Sequence, residues 1–448
     1  MEPAIIGYVG LGVLLAFLLL RIPIAVAMGV VGTVGMFLIY AWRPYLGLVP
    51  EAGYGPTFSL LATTPYNFLN SYPLSAVPLF IFIGVLAYHA RFTTDVYDAA
   101  RLWLAKLPGG VAMASIVGCG GFSAISGSSL ACAAAMGRIA IPEMLKQGYS
   151  KSLATGSVAI GGTLGSLIPP SILLIIYGIF VEQSIAKLFL AAVIPGLLSL
   201  LGYIVVVAVW ARLRPEAAPT PKAEERAQRQ TRWQALERCW AVLALFLLIL
   251  GGIYLGFFTP TEAAAVGSFA TLALGFLLKR ITWRSVLEAL KESVQQTAML
   301  FAVAIGGKLF VAFVALSGIA GDLVSLISES GLSIAVVIGL IVLLYILLGM
   351  VLDPMGIILL SLPLTVPIIE AHGFSLIWFG IVVIKLLEVG LVTPPVGLNV
   401  FVIKSIVGDQ IPLERIFIGV GIFLLIEIPV VALIVCFPQI SLFLPNLM

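Results

Sequence analysis

The sequence predicts an all-α polytopic membrane protein of two inverted-topology repeats, each with one re-entrant helical hairpin and one broken helix. Three observations predict it: long uncharged apolar runs, basic residues sorted to one set of loops, and a register shared by two halves of the chain.

Of 448 residues, 61% are apolar and 10% are charged, against roughly 45–50% and about 25% in a soluble domain. Runs such as 4–20, 186–209 and 239–257 are long enough to cross a hydrocarbon core of about 30 Å. The first run precedes Arg21, whereas a secretory signal carries its positive charge ahead of the apolar stretch. An uncleaved first span with its N-terminus outside is therefore expected. The net charge of +3 implies no nucleic-acid partner, because the basic residues sit beside apolar runs. Cys119, Cys132, Cys239 and Cys436 lie in or beside apolar stretches without CxxC spacing and read as buried small hydrophobes. His89 and His372 end apolar runs and form no ligand cluster with them, so no zinc-type centre is expected.

Lys and Arg fall at 21, 91–106, 146–151, 212–238 and 279–284, while loops at 41–57, 182–185, 257–261, 317–322 and 370–374 are poor in both. By the positive-inside rule the first set is cytoplasmic and the second periplasmic. Segments 91–107 and 281–292 mix charge with apolar residues and are expected along the cytoplasmic interface. The chain then divides into a first half (1–211), a charged cytoplasmic linker (212–238) and a second half (239–448). Residues 109–147 carry cytoplasmic markers at both ends, and 331–371 periplasmic ones. Each is centred on a helix breaker, Ser126-Gly127-Ser128-Ser129 or Asp353-Pro354. A hairpin that enters and leaves on one side fits both. Ten crossings remain, with both termini periplasmic.

The halves share an ungapped register. Pro142 falls on Pro367, Gly148 on Gly373, Ser150 on Ser375, and Pro169-Pro170 on Pro394-Pro395, each 225 residues apart. In that register Gly165 falls on Gly390 and Ser128 on Asp353. With the hairpins on opposite sides, these are inverted repeats of the kind that build secondary transporters.

Open backbone is tolerated in lipid where it is buried in protein or lines a cavity. The two hairpin tips and the two breaks, 161–170 and 390–399, are such places. Proline removes an amide donor and frees a carbonyl one turn earlier, and glycine lets the chain leave helical geometry. Free carbonyls with Ser and Thr hydroxyls make a hard-oxygen site for a small cation, and exposed helix N-termini favour an anionic group. Close helix packing is the competing account of each kink. Asp353 is positioned to ligate a cation, to cap the helix that starts at Pro354, or both. Lys308, Arg138, Lys385 and Glu388 also lie in apolar surroundings. Lys385 and Glu388 are three apart on one helix, so mutual pairing is the ordinary account. Lys308 or Arg138 is a candidate to face an anionic substrate, against snorkelling for Arg138 and an acidic partner for Lys308. Glu143 reads as structural. No GxSxG, HExxH or P-loop is present, so an enzyme is not expected, and uphill transport would draw on an ion gradient.

The run Gly121, Ser126-Gly127-Ser128-Ser129, Ile141-Pro142-Glu143-Met144, Gly148-Tyr149, Gly161-Gly162-Thr163-Leu164-Gly165 and Ile168-Pro169-Pro170-Ser171 resembles the large permease subunit of tripartite ATP-independent periplasmic (TRAP) transporters, the DctM family. Asp353-Pro354 and Gly390-Leu391-Val392-Thr393-Pro394-Pro395-Val396-Gly397-Leu398-Asn399 resemble the matching motifs of its second half. The resemblance implies an elevator-type fold in the bacterial inner membrane, with Na+ as coupling ion. It implies three partners: a small membrane subunit on a separate chain, a periplasmic binding protein and an organic acid substrate, a carboxylate or sulfonate. Carried over residue by residue, the sodium-site role falls on Ser126, Ser128, Ser129, Gly162, Thr163 and Gly165, and on Asp353, Gly390, Thr393 and Pro394. Apart from that carry-over, the candidate substrate-contact residues are Ser128, Asn399, Lys308, Arg138 and Lys385. Lys308 and Lys385 are basic where many relatives are expected to be neutral. Either they face a multiply charged substrate or a lysine partly replaces a cation. A stand-alone sodium/dicarboxylate carrier is the first alternative; an ion channel and a scaffold without transport are others.

Overall fold

Side-chain caps set where the central helices begin. Ser128 accepts from the Ala131 amide at 3.4 Å, Ser150 from Leu153 at 3.3 Å, Ser171 from Leu174 at 3.3 Å, and Asp353 from Gly356 at 3.0 Å. Each satisfies one of the donors a helix start leaves free. The computed structural model describes residues 2–43, 45–104, 106–219 and 232–447. Part of the charged linker, 220–231, lies outside the described residues.

The first half runs α1 (Pro3–Leu19), α2 (Ile24–Ala41), α3 (Pro50–Leu69), α4 (Ala76–His89) and α5 (Phe92–Leu104). Then come α6 (Gly110–Ser126), α7 (Ser129–Lys146), α8 (Lys151–Gly162), α9 (Leu164–Leu167), α10 (Ile172–Phe180) and α11 (Ile185–Leu213). After the linker follow α12 (Arg232–Arg238), α13 (Trp240–Phe246), α14 (Gly252–Tyr254), α15 (Pro260–Leu277), α16 (Trp283–Ser317) and α17 (Ile319–Glu329). The chain continues with α18 (Ile334–Gly349), α19 (Pro354–Ala371), α20 (Leu376–Gly390), α21 (Leu398–Val407) and α22 (Leu413–Cys436). Among the described residues, eight helical stretches are long and apolar enough to cross a membrane. Their outer faces leave large apolar residues uncovered, Leu201 and Val205 on α11 and Leu425 and Ile428 on α22 among them, as a surface solvated by lipid tails requires.

Two stretches differ from the sequence expectation. The region 41–57 is not a plain loop: Trp42–Arg43 and Gly47–Leu48 pair as a short ribbon, and α3 starts at Pro50. Proline at a first helical position is well tolerated, its missing amide being one of the unsatisfied donors anyway. Residues 281–292, expected along the cytoplasmic interface, do not form a helix of their own. From Trp283 they are the first turns of the 35-residue helix α16, opened by a Thr282/Ser285 capping box. Cys119, Cys132 and Cys239 are buried, but Cys436, at the end of α22, is exposed.

Element boundaries recur at the 225-residue offset. Helices α7 and α19 start at 129 and 354, and α8 and α20 at 151 and 376. Gly148 and Gly373, before α8 and α20, have φ of +83° and +73°, a backbone that suits glycine. Pro169-Pro170 and Pro394-Pro395 are both cis.

Candidate functional site

The first hairpin, α6 and α7, turns at Gly127-Ser128. Gly127 has φ +61°, and a Cβ there would meet the Pro170 carbonyl oxygen at 2.6 Å. That turn is bonded to the first break, since the Ile172 amide donates to the Gly127 carbonyl at 3.2 Å. Gly165 packs so closely on the tip that a Cβ would lie 2.6 Å from the Ser128 carbonyl and the Ser129 nitrogen. Gly162 presses on Ala133 of α7, where a Cβ would come to 2.8 Å. Of the first candidate cation set, Ser128, Ser129 and Gly165 meet in a seam between tip and break, Gly162 lies further along it against Ala133, and Ser126 ends α6 beside the tip. The Thr163 hydroxyl points away from that seam, donating to the Ile160 carbonyl at 2.6 Å and meeting Tyr203 Oη at 3.1 Å. Ser126 Oγ is buried and, among the described residues, has no hydrogen-bond partner.

The second set is looser. Gly390, the last residue of α20, lies against Gly349 at the end of α18; a Cβ on Gly390 would come within 2.5 Å of the Gly349 Cα. Asp353 caps α19, as the sequence allows. The Thr393 hydroxyl bonds the Val389 carbonyl at 2.6 Å. Pro394 is exposed whereas Pro169 is buried, so the second break is the more open of the two.

A polar network joins the halves. Ser129 Oγ donates to Glu388 Oε1 at 2.6 Å and meets Ser166 Oγ at 2.7 Å. Asn399 Nδ2, on α21, reaches the Ala159 carbonyl of α8 at 3.4 Å. The expected Lys385–Glu388 pair is not made. Lys385 instead meets Glu427 of α22, with Nζ to Oε2 at 2.6 Å, and donates to Ser199 Oγ of α11 at 2.8 Å. Competing partners explain this: Glu388 is taken by Ser129 of the first tip, and Lys385, three residues earlier, by Glu427 of α22 and Ser199 of α11. Tyr203 donates to the same Glu427 carboxylate, tying Thr163 to it through two hydroxyls. Ser166, Tyr203 and Glu427 were not among the candidates. An acid within the apolar run of α22 is the signal that points to Glu427; nothing in the pattern points to Tyr203. Glu143, read as structural, pairs with Arg101 at 2.7 Å.

Beside the first tip is a cavity of about 160 Å³. Ser126, Ser128 and Arg138 form its hairpin wall, and Tyr88 of α4 with Glu292 and Gln296 of α16 form the opposite one. Glu292 lies 3.6 Å from His89, while Arg138 has no ionic partner among the described residues. Lys308 is not in this cavity. Its ammonium lies over the rings of Phe180 and Phe68, 4.3 and 6.0 Å from their centroids; Glu182 acts on it from a distance, without a close ion pair among the described residues. Lys385 and Asn399, both fully enclosed, also lie outside it. Chemically, the cavity holds a guanidinium, an amide and hydroxyls, groups that suit an anion, together with the Glu292 carboxylate, next to the seam of tip and break.

The family model for the DctM component of tripartite ATP-independent periplasmic transporters matches residues 11–440. The chain is 34% identical over 388 residues to the C4-dicarboxylate TRAP transporter large permease protein DctM of Pseudomonas aeruginosa, covering 86% of this chain and 89% of that one. It is 34% identical over 418 residues to the sialic acid TRAP transporter large permease protein SiaM of Vibrio cholerae, covering 92% and 95%. In fold it is similar to the YdaH transporter of Alcanivorax borkumensis, with a TM-score of 0.61, 14% identity and coverage of 96% and 99%. Tip, break and family match agree: this chain belongs to the large permease (DctM) family of TRAP transporters.

Proposed function

We propose that the chain is the sodium-driven translocating subunit of a three-part importer in the bacterial inner membrane, with both termini periplasmic. It takes an organic acid anion, a carboxylate or sulfonate, from a periplasmic binding protein and works beside a separate small membrane subunit. The observation that carries this reading is the cavity in which Arg138, Ser126 and Ser128 face Gln296 across a gap, directly against the seam of tip and break. An anion on Arg138 and a cation in the seam would stabilise one another at that range, in a medium where charges are weakly screened.

An elevator motion is supported by where the polar bonds lie. Hydrogen bonds and an ion pair tie α7, α8, α11, α20, α21 and α22 into one body, with Thr163 at the end of α8 meeting Tyr203 of α11. The hairpin helices α6 and α19, which pack on that body, meet α4, α16 and α2 partly through close contacts at glycine: Gly84 on Ser126, Gly307 on Leu359 and Gly356 on Ile24. Such a surface slides at lower cost than one stitched by buried ion pairs.

Uptake of radiolabelled organic acids into proteoliposomes, with the binding protein and small subunit present, tests this. Accumulation is expected to require an inward sodium gradient and both partners. Full uptake by this chain alone would instead favour a stand-alone carrier.

A further inference from the structure

Lys385 and Glu427 are 2% and 3% exposed and lie at the meeting point of α11, α20 and α22. The ammonium is ringed by oxygen: both Glu427 carboxylate atoms at 2.6 and 2.8 Å and Ser199 Oγ at 2.8 Å, with the Tyr203 ring centroid 5.7 Å away. A carboxylate and a hydroxyl are what a small monovalent cation takes as ligands. Stability gives a weak reason for burying such a pair, since desolvation offsets most of the attraction and an apolar pair of the same volume often does as well.

The surroundings give a better one. Glu427 is reached from Thr163 through Tyr203, and Glu388, one turn along from Lys385, holds Ser129 at the first tip. The ion pair thus stands directly behind the first tip and break. We infer that the Lys385 ammonium is a built-in cation, occupying on Glu427 and Ser199 a place that a free monovalent cation takes when the lysine is removed. This rests on the sodium-coupled reading and adds that one positive charge in the core is fixed to the chain.

The test is thermal unfolding of the full-length chain in lipid nanodiscs, titrated with sodium chloride against choline chloride at constant ionic strength. Choline is too large for the space an ammonium leaves. The wild type sets the baseline sodium response; its complete absence would count against sodium coupling itself. Lys385→Met is expected to show an additional saturable rise in Tm with sodium, or to fold in sodium and fail in choline. Lys385→Met/Glu427→Gln, a neutral pair of similar volume, is expected to return to the wild-type response. The inference is overturned if Lys385→Met responds like the wild type, if it fails to fold in both salts, or if the double variant keeps the added response. Any of these outcomes with an intact wild-type response leaves the sodium-coupled reading standing and assigns the pair to holding helices together.

Discussion

Arg138 presents a guanidinium to a cavity that also holds a carboxylate, Glu292, engaged by His89. Arg138 itself makes no ion pair among the described residues, which leaves its charge available to a ligand. Replacing it by Gln keeps a donor but removes the charge, and a charge-assisted hydrogen bond contributes about 1.5–3 kcal/mol. Arg138→Gln is expected to raise KM for the organic anion roughly ten- to hundredfold, with sodium dependence retained, as uptake against substrate concentration will show. At the tips the two candidate roles separate. Asn caps helices as well as Asp, so Asp353→Asn is expected to leave Tm nearly unchanged while weakening the sodium dependence of uptake. Ser128→Ala weakens that dependence less and also loses a cap, about 0.5–2 kcal/mol of stability. An unchanged sodium response in both variants would remove the tips from the ion site. Residue chemistry was legible where it is local: Asp353 before Pro354 reads as a cap from two letters. Lys385 was not, because its partner lies 42 residues further on, on another helix, and spacing rules compare residues on one helix.

At the scale of elements, the tip-and-break seam depends on glycine. A Cβ on Gly165 would strike backbone atoms of Ser128 and Ser129, which have no side-chain freedom with which to yield. Gly165→Ala is expected to destabilise the chain by about 1–3 kcal/mol and to cut sodium affinity, read as a lower Tm and a right-shifted sodium titration. Gly12, which has nothing within 4 Å of its would-be Cβ, is the control; Ala there is expected to be neutral or slightly stabilising. The breaks and caps were visible in the sequence because Pro, Gly and Ser act on their own backbone. The continuity of α16 was not. Charged residues between 284 and 292 interrupt its apolar pattern, yet nothing there breaks a helix, so the pattern changes solvent without changing conformation. The ribbon at 42–48 was missed because two-residue strands carry no periodicity.

For the whole molecule, the question is whether the body that holds both breaks moves against α4 and α16. The 225-residue register was readable from paired prolines and glycines, and helix starts at 129/354 and 151/376 keep it. Which helices form the moving body was not readable, because that follows from side chains such as Ser129 and Glu388 meeting 259 residues apart. Gly84 of α4 and Ser126 of the first tip supply the test. A Cβ on Gly84 would lie 2.8 Å from the Ser126 Cα and 3.1 Å from its Cβ, so a disulfide, with its Cβ spacing of about 3.5–4.5 Å, forms there once the two helices part slightly. In a background lacking Cys119, Cys132, Cys239 and Cys436, Gly84→Cys/Ser126→Cys is expected to cross-link under oxidation and to stop sodium-driven uptake. Reductant is expected to restore uptake to the level of the reduced double variant, and each single variant to be indifferent to oxidant. If the hairpin stays on α4 throughout the cycle, the cross-linked protein will transport as fast as the reduced one, and a sliding body has to be abandoned. If uptake stops and returns with reductant, the close contact of Gly84 on Ser126 is one that the cycle must break.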